Sequence, residues 1–308
     1  MDIKAKVLSG LRWTISARFA AQLFNWVVTI IVIRLLNPED YGILAMATIF
    51  IAFLMAVNTL GLDTSLVQKK DLTEAERKRI FGVAILVNLF FYIGLFFSAP
   101  FIANFFDEQQ LVSIIRVLSF SFLIDIFLIL PLAKLDREIA FKHRSIVEFV
   151  TTVLTSLSVL AFAYSGLGVW SLVYGALILH ATKTIGLIFI APSWCKPDFS
   201  LTGLKQHFLF GGFVSLERSL FRVYTESDKF ICGRMMGADL LGHFSVASHL
   251  ASLPIQKLAG LVQSIAFPHS QRQNKSLTKP APIFCRQTRS LVSLPFLYFS
   301  VFHARHLN

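Results

Sequence analysis

The chain has 308 residues, of which 55 % are hydrophobic, only 15 % are charged and 31 are phenylalanine. A soluble domain carries about a quarter charged residues, so this composition excludes an ordinary water-soluble fold. The net charge of +11 is spread over the loops between apolar stretches instead of forming a patch, which excludes a nucleic-acid partner.

Eight apolar stretches follow one another, near 13–36, 42–62, 80–100, 111–133, 145–164, 168–191, 208–226 and 236–260. About 20 apolar residues at 1.5 Å rise cross roughly 30 Å of hydrocarbon, and several stretches meet that length. The first is too long, and has the wrong flanks, for a cleaved signal peptide, so it is expected to remain as an anchor. The intervening segments alternate in charge. The N-terminus holds Lys4, Lys6 and Arg12, and the 63–79 loop holds Lys69, Lys70, Arg77, Lys78 and Arg79. The 134–144 loop holds Lys134, Arg137, Lys142 and Arg144, and the 192–207 loop holds Lys196 and Lys205. Loops 37–41, 101–110 and 165–167 hold no Lys or Arg, and the last segment of that set has Lys229 and Arg234. This is the positive-inside pattern of a multi-pass protein with a cytoplasmic N-terminus. The expected fold is an all-α polytopic membrane protein of about eight transmembrane helices.

Charged groups inside spans cost roughly 2.5–3.5 kcal/mol each to insert, so they mark candidate sites. In the first span Arg18, Gln22, Asn25 and Thr29 share one helical face. Glu148, Thr152 and Thr155 repeat that spacing in the fifth span, and Ser215, Arg218, Arg222 and Lys229 align in the seventh. Polar stripes on membrane helices must face protein or water, so two basic stripes and one acidic-hydroxyl stripe predict a hydrated cavity. Arg116, near the outer end of the fourth span, reads as a snorkelling residue. Asp125, close to mid-span, reads either as a helix-packing hydrogen bonder or as an ion-coupling carboxylate. Lys183 is a further cavity candidate. Cys195, Cys232 and Cys285 show no metal or redox spacing, the eight histidines show no ligand pattern, and no catalytic constellation is present. No catalytic residue, cofactor or metal is therefore expected.

The segment Arg34-Leu35-Leu36-Asn37-Pro38-Glu39-Asp40-Tyr41-Gly42 is echoed 200 positions later as Arg234-Met235-Met236-Gly237-Ala238-Asp239-Leu240-Leu241-Gly242. The same register places Arg18 on Arg218, Gln22 on Arg222 and Asn25 on Thr225. Internal repeats of this kind are common in secondary transporters, with the substrate site between the halves. The expected organisation is a six-helix lobe over 1–200, the first two helices of an incomplete second lobe over 201–268, and an aberrant basic tail over 269–308. From Leu240 onward there is no Asp or Glu, and the tail is expected to be a truncated or out-of-frame product.

Several segments in order resemble the polysaccharide transporter family of lipid-linked oligosaccharide flippases, within the multidrug/oligosaccharidyl-lipid/polysaccharide exporter superfamily. They are Ser9-Gly10-Leu11-Arg12-Trp13, the Arg34–Gly42 segment, Leu66-Val67-Gln68-Lys69-Lys70-Asp71-Leu72-Thr73, Gly166-Leu167-Gly168-Val169-Trp170-Ser171-Leu172-Val173, Asp228-Lys229-Phe230-Ile231-Cys232-Gly233-Arg234 and Leu253-Pro254-Ile255-Gln256-Lys257-Leu258. The resemblance implies two six-helix lobes around a cavity in the bacterial inner membrane. It also implies transport of an undecaprenyl-diphosphate-linked oligosaccharide, without enzymatic activity, alongside membrane lipids and other polysaccharide assembly proteins. Arg18, Arg218 and Arg222 would then escort the diphosphate. Gln22 would line the same cavity, Asn25, Thr29 and the Glu148/Thr152/Thr155 stripe would bind sugar hydroxyls, and Asp125 or Glu148 would couple the cycle to protons or sodium. The alternatives are a non-transporting truncated remnant, a multidrug antiporter, which a basic cavity disfavours, and a membrane glycosyltransferase, for which the outer loops are too short.

Overall fold

The computed structural model describes residues 22–58, 73–137, 141–193, 195–200 and 205–273. Arg18, the Lys69/Lys70 pair and all of the tail beyond Gln273 lie outside them. The elements are α1 (Gln22–Leu35), α2 (Pro38–Asn58), α3 (Glu74–Phe106), α4 (Gln110–Ile126), α5 (Ile129–Arg137), α6 (Phe141–Tyr164), α7 (Val169–Ile190) and α8 (Lys205–Gln273). Among the described residues every regular element is a helix, as backbone in hydrocarbon requires. The chain divides into two units, residues 1–248 and 249–308. In the second, residues 249–273 are helical.

Local chemistry sets the helix ends. Pro38 opens α2, where its missing N–H costs nothing, while the Asn37 N–H donates to Asp40 Oδ2 at 3.1 Å. A capping box opens α3: Glu76 N–H donates to Thr73 Oγ1 at 3.2 Å and Thr73 N–H donates to Glu76 Oε2 at 3.1 Å. Asp107 closes α3 in the left-handed region, φ 59°, its N–H donating to the Ala103 carbonyl. With 33 residues, α3 is about 50 Å long, enough to cross the bilayer and carry its charged first turn, Glu74 to Arg79, into water.

Four helices are long and apolar enough to cross a membrane: α2, α3, the 143–164 part of α6, and α7. The pair α4 and α5, bent by 51° at residues 127–128, makes a fifth when counted as one broken span. The protein is thus an all-α multi-pass membrane protein, with four to five of the expected spans counted among the described residues. The expected loop at 227–235 is helical, and α8 consists of two helical segments that meet at a kink. Two physical reasons account for the difference. The polar residues of this stretch pair along the helix, and the break falls instead at Gly237, whose φ of 78° and ψ of −177° are tolerated only by glycine. Glu217, Arg218, Arg222, Glu226, Asp228 and Lys229 also load the first half of α8 with charge.

The core lies between α2, α3, α4 and α7, where Met46, Leu111, Ile114, Ile115, Phe122 and Val173 are fully buried. Aromatic contacts fix the antiparallel register of α3 and α4: Phe91 meets Phe122 and Tyr92 meets Phe120. The outward face of α3 is phenylalanine, with Phe90, Phe97 and Phe101 about three-quarters exposed, as suits a lipid-facing surface.

The loops sort by end as their charges predict. At one end, the N–H of Asp198 donates to the Lys78 carbonyl at 3.1 Å, Arg79 Nε donates to Asp198 Oδ2 at 3.2 Å and Lys134 Nζ donates to the Pro192 carbonyl at 3.4 Å. The three lysine- and arginine-bearing segments around 73–79, 134 and 192–198 therefore share one end. At the other, Arg234 Nη1 pairs with Asp107 Oδ2 at 2.5 Å, with its guanidinium 5.4 Å from the centre of the Phe105 ring. Here α2 and α8 meet backbone to backbone. A β-carbon placed on Gly42 would lie 1.7 Å from the Ala238 carbonyl oxygen, and one placed on Gly242 would lie 1.8 Å from the Pro38 carbonyl oxygen. The two contacts are reciprocal under the 200-residue offset of the Arg34 and Arg234 segments: 42 meets 238 and 242 meets 38.

Candidate functional site

The polar residues that the sequence singles out lie in three seams. The first is between α1 and α6. Val28 and Val32 of α1 and Leu36 just beyond it are buried with Ala163 of α6, and the half-buried Gln22, Asn25 and Thr29 share that side of the helix. Asn25 Oδ1 accepts from Ser156 Oγ at 2.9 Å. The stripe thus faces protein, as a membrane helix demands, but at Asn25 it meets a packed partner instead of water. Arg18, which would extend the stripe by one turn, lies outside the described residues.

The α6 stripe makes two of its bonds within its own helix. Glu148 Oε1 accepts from Arg144 Nε at 3.1 Å, one turn earlier. Thr152 Oγ1 donates to the Glu148 carbonyl at 2.7 Å, a back-bond open to a hydroxyl within a helix. Thr155 differs: its buried Oγ1 has no hydrogen-bond partner among the described residues, leaving it free to bond a ligand hydroxyl or water.

The second seam lies between α4 and α7. Asp125 Oδ1 stands 2.8 Å from His180 Nδ1, with side chains 14 % and 22 % exposed. The histidines, expected to show no ligand pattern, contribute this pairing between helices; its two members are 55 residues apart, a separation no sequence motif reports. Lys183, half-buried, lies one turn further along α7. A second unanticipated pair sits nearby in the core: Asn58 Nδ2 donates to Asn88 Oδ1 at 2.8 Å, and Asn88 Nδ2 donates to the Ala84 carbonyl at 2.8 Å. Arg116, read as a snorkelling residue, packs on an aromatic ring. Its guanidinium lies over the Phe96 ring at 4.9 Å, a cation–π contact that offsets burial of the charge.

The third is the first half of α8, where a carboxylate joins the expected basic stripe. Glu226, on the same face, takes Lys229 Nζ at 2.7 Å and lies 3.8 Å from Arg222 Nη1. A carboxylate one turn from each cation neutralises the stripe in part, so the side is zwitterionic. Arg218 and Arg222 are exposed, while Ser215 is buried.

Two titratable groups outside the spans are shifted. Burial, and then the neighbouring Glu39, push the Glu108 carboxyl above its ordinary range. Burial pushes the Cys195 thiol up, and Arg77 and Lys78 oppose it. Near the 127–128 bend, Phe81, Phe127, Leu130, Pro131, Ile188 and Ser193 line a small cleft of 10 Å³, room for about one water. No group of three metal-ligating side chains occurs among the described residues.

Helices long enough to span, polar side chains turned to their neighbours and lysine-rich loops gathered at one end define a multi-pass helical membrane protein with polar interhelical seams. A family model described as polysaccharide biosynthesis protein matches residues 31–307, and the chain belongs to that family. It is 25 % identical to the teichuronic acid biosynthesis protein TuaB of Bacillus subtilis, over 96 % of this chain and 62 % of that protein. It is 19 % identical to the lipopolysaccharide biosynthesis protein WzxC of Escherichia coli, over 87 % of this chain and 55 % of that one. It is also 27 % identical to the probable flippase AglR of Haloferax volcanii, over 89 % and 58 %. The chain thus spans a little over half the length of these relatives. No solved structure matches it.

Proposed function

We propose that this chain works as a flippase for lipid-linked oligosaccharides, carrying undecaprenyl-diphosphate-linked repeat units from the cytoplasmic to the periplasmic leaflet of the bacterial inner membrane. The observation that carries the reading is the family match over 31–307 on a multi-pass helical scaffold, together with relatives named for transport and flipping. A diphosphate cannot enter hydrocarbon bare, and guanidinium groups hold phosphate oxygens bidentately without losing charge. Arg218 and Arg222, exposed on α8, and Arg18 fill that role. Gln22, Asn25, Thr29, Thr152 and Thr155 offer hydroxyls and amides to sugar, with Lys183 and Glu148 at the margin. The chain performs no covalent step and acts as a transporter. Its N-terminus and lysine-rich end lie in the cytoplasm, following the positive-inside bias, and its partners are membrane lipids and other polysaccharide assembly proteins.

The test is restoration of surface polysaccharide in a bacterial strain lacking its own flippase. The chain should restore export. Arg218→Ala should abolish that restoration while the amount of protein in the membrane is unchanged. Export that survives Arg218→Ala removes the head-group role, and wild-type chain that restores nothing removes the flippase reading.

A further inference from the structure

The α4–α7 seam carries more than one ion pair. One turn before Asp125 on α4 lies Ser121, and one turn after His180 on α7 lies Thr184, each on the face its charged neighbour uses. Both are more than nine-tenths buried, at 3 % and 4 % exposure. Neither hydroxyl has a hydrogen-bond partner among the described residues. Buried polar groups in folded proteins are satisfied with few exceptions, and those left over mark ordered water or ions. Asn88 lies three residues from Phe91 and Asp125 three residues from Phe122, on the same side of that ring contact, so the Asn58–Asn88 pair stands at the level of Asp125. Asn58 Oδ1 is buried and likewise without a partner among the described residues. The seam is thus a polar file running through an otherwise apolar core.

We propose that Asp125 and His180 form a proton-binding pair in mid-membrane, reached by water along the Ser121–Thr184 file, and that its occupancy gates the bend at residues 127–128. With His180 neutral, Nδ1–H donates to Asp125 Oδ1 and the pair carries one net negative charge. A proton delivered by a hydronium ion binds at Nε2 and leaves water behind. The pair then becomes an imidazolium–carboxylate with no net charge. Net charge decides what the membrane tolerates: the neutral pair can be sealed among apolar side chains, whereas the anionic pair must keep contact with water. Imidazole is the side chain that gains and loses a proton in the physiological range. Asp125 belongs to the last turn of α4 before the bend, so opening the pair to water and moving α5 are mechanically linked.

The charged neighbours leave this pair as the local titrating unit. Of the helices packed against α4 and α7, α2 beyond Asp40 and α3 beyond Arg79 contribute no charged residue, and Tyr41 and Tyr92 are their titratable groups. On α6, Glu148 is bound by Arg144, and on α5 Lys134 bonds the Pro192 carbonyl. On the pair's own helices Arg116 lies over Phe96, nine residues from Asp125, and Lys183 is the cation nearest to His180 in sequence.

The coupling role rests on the transport reading above; proton binding does not, and the experiment separates them. The full chain in lipid nanodiscs is examined by infrared difference spectroscopy between about pH 5 and about pH 8. Wild type should give a linked carboxylate and imidazole signal that is lost in Asp125→Asn and in His180→Gln alike, kept in the exposed-site control His143→Gln, and shifted but present in Asp125→Glu. A wild-type spectrum without that signal overturns the proposal, and so does a signal that survives either Asp125→Asn or His180→Gln. A chain that titrates as expected but restores no export leaves the pair standing and removes the flippase reading. Should Asp125→Asn and His180→Gln fail to assemble, reaction of Ser121→Cys with a water-soluble thiol reagent decides. Labelling whose rise with pH exceeds that of an exposed control cysteine, His143→Cys, supports the proposal, and a rise equal to the control's, which reflects only the growing thiolate fraction, overturns it.

Discussion

The crossing of α2 and α8 depends on the absence of a single side chain, and Gly42→Ala tests it. The added carbon would stand 1.7 Å from the Ala238 carbonyl oxygen, where non-bonded heavy atoms need about 3.5 Å. Backbone cannot rotate away as a side-chain tip can, so the helices must part by about 1.5–2 Å. Overpacking of this kind costs about 1–3 kcal/mol. At about 2–4 °C per kcal/mol for a chain of this size, the melting midpoint should fall by several degrees. The assay is thermal unfolding in detergent followed by a thiol-reactive dye, with Gly94→Ala beside it. Gly94 also lies within a helix, but a β-carbon there meets nothing within 4 Å, so that substitution should be neutral or mildly stabilising. A Gly42→Ala protein as stable as Gly94→Ala would refute the close crossing.

Asn88→Leu should cost about 1–3 kcal/mol, because it leaves Asn58 Nδ2 buried without its acceptor; the same thermal assay reads it, and an unchanged midpoint would show that the pair is not formed. Glu108→Gln should give a pH-dependent gain. With the native carboxyl shifted up, the stabilising contribution of its protonated form is fully present below the ordinary carboxylate range and is lost as pH rises through the native value. The variant should therefore be more stable than wild type at neutral pH and equal to it below about pH 4. Unfolding midpoints across pH check this, and a variant advantage that grows in acid contradicts the assignment.

Much of the architecture is legible in the residues because membrane insertion leaves few options. Runs of apolar residues give α2, α3, α6 and α7 within a few positions. The alternation of Lys and Arg sorts the segments 73–79, 134 and 192–198 to one end, where Asp198 ties two of them together. The α8 region was harder to read for a definite reason. Charge at 226–229 suggests a loop when each residue is weighed alone, but Glu226 and Lys229 cancel when three residues apart on a helix. Pairings across the fold were invisible for another reason. Asp125 with His180 and Asn58 with Asn88 depend on which helices become neighbours, and periodicity along one helix carries no information about that. The α6 stripe shows the converse limit. Its spacing is as read, yet Thr152 turns to its own backbone, a choice made by rotamer and not by sequence position.

The reciprocal contact of Gly42 with Ala238 and Gly242 with Pro38 also has a mechanical meaning. Interfaces built from interlocking side chains resist turning, since each knob must leave its hole. Two smooth backbones touching at glycine offer no such teeth. A rotation of ten degrees about that point, small enough to leave the touching atoms nearly in place, would carry the far end of a 20-residue helix through about 5 Å. The junction therefore acts as a bearing: it fixes where the two helices meet and leaves the angle between them to be decided at their distant ends.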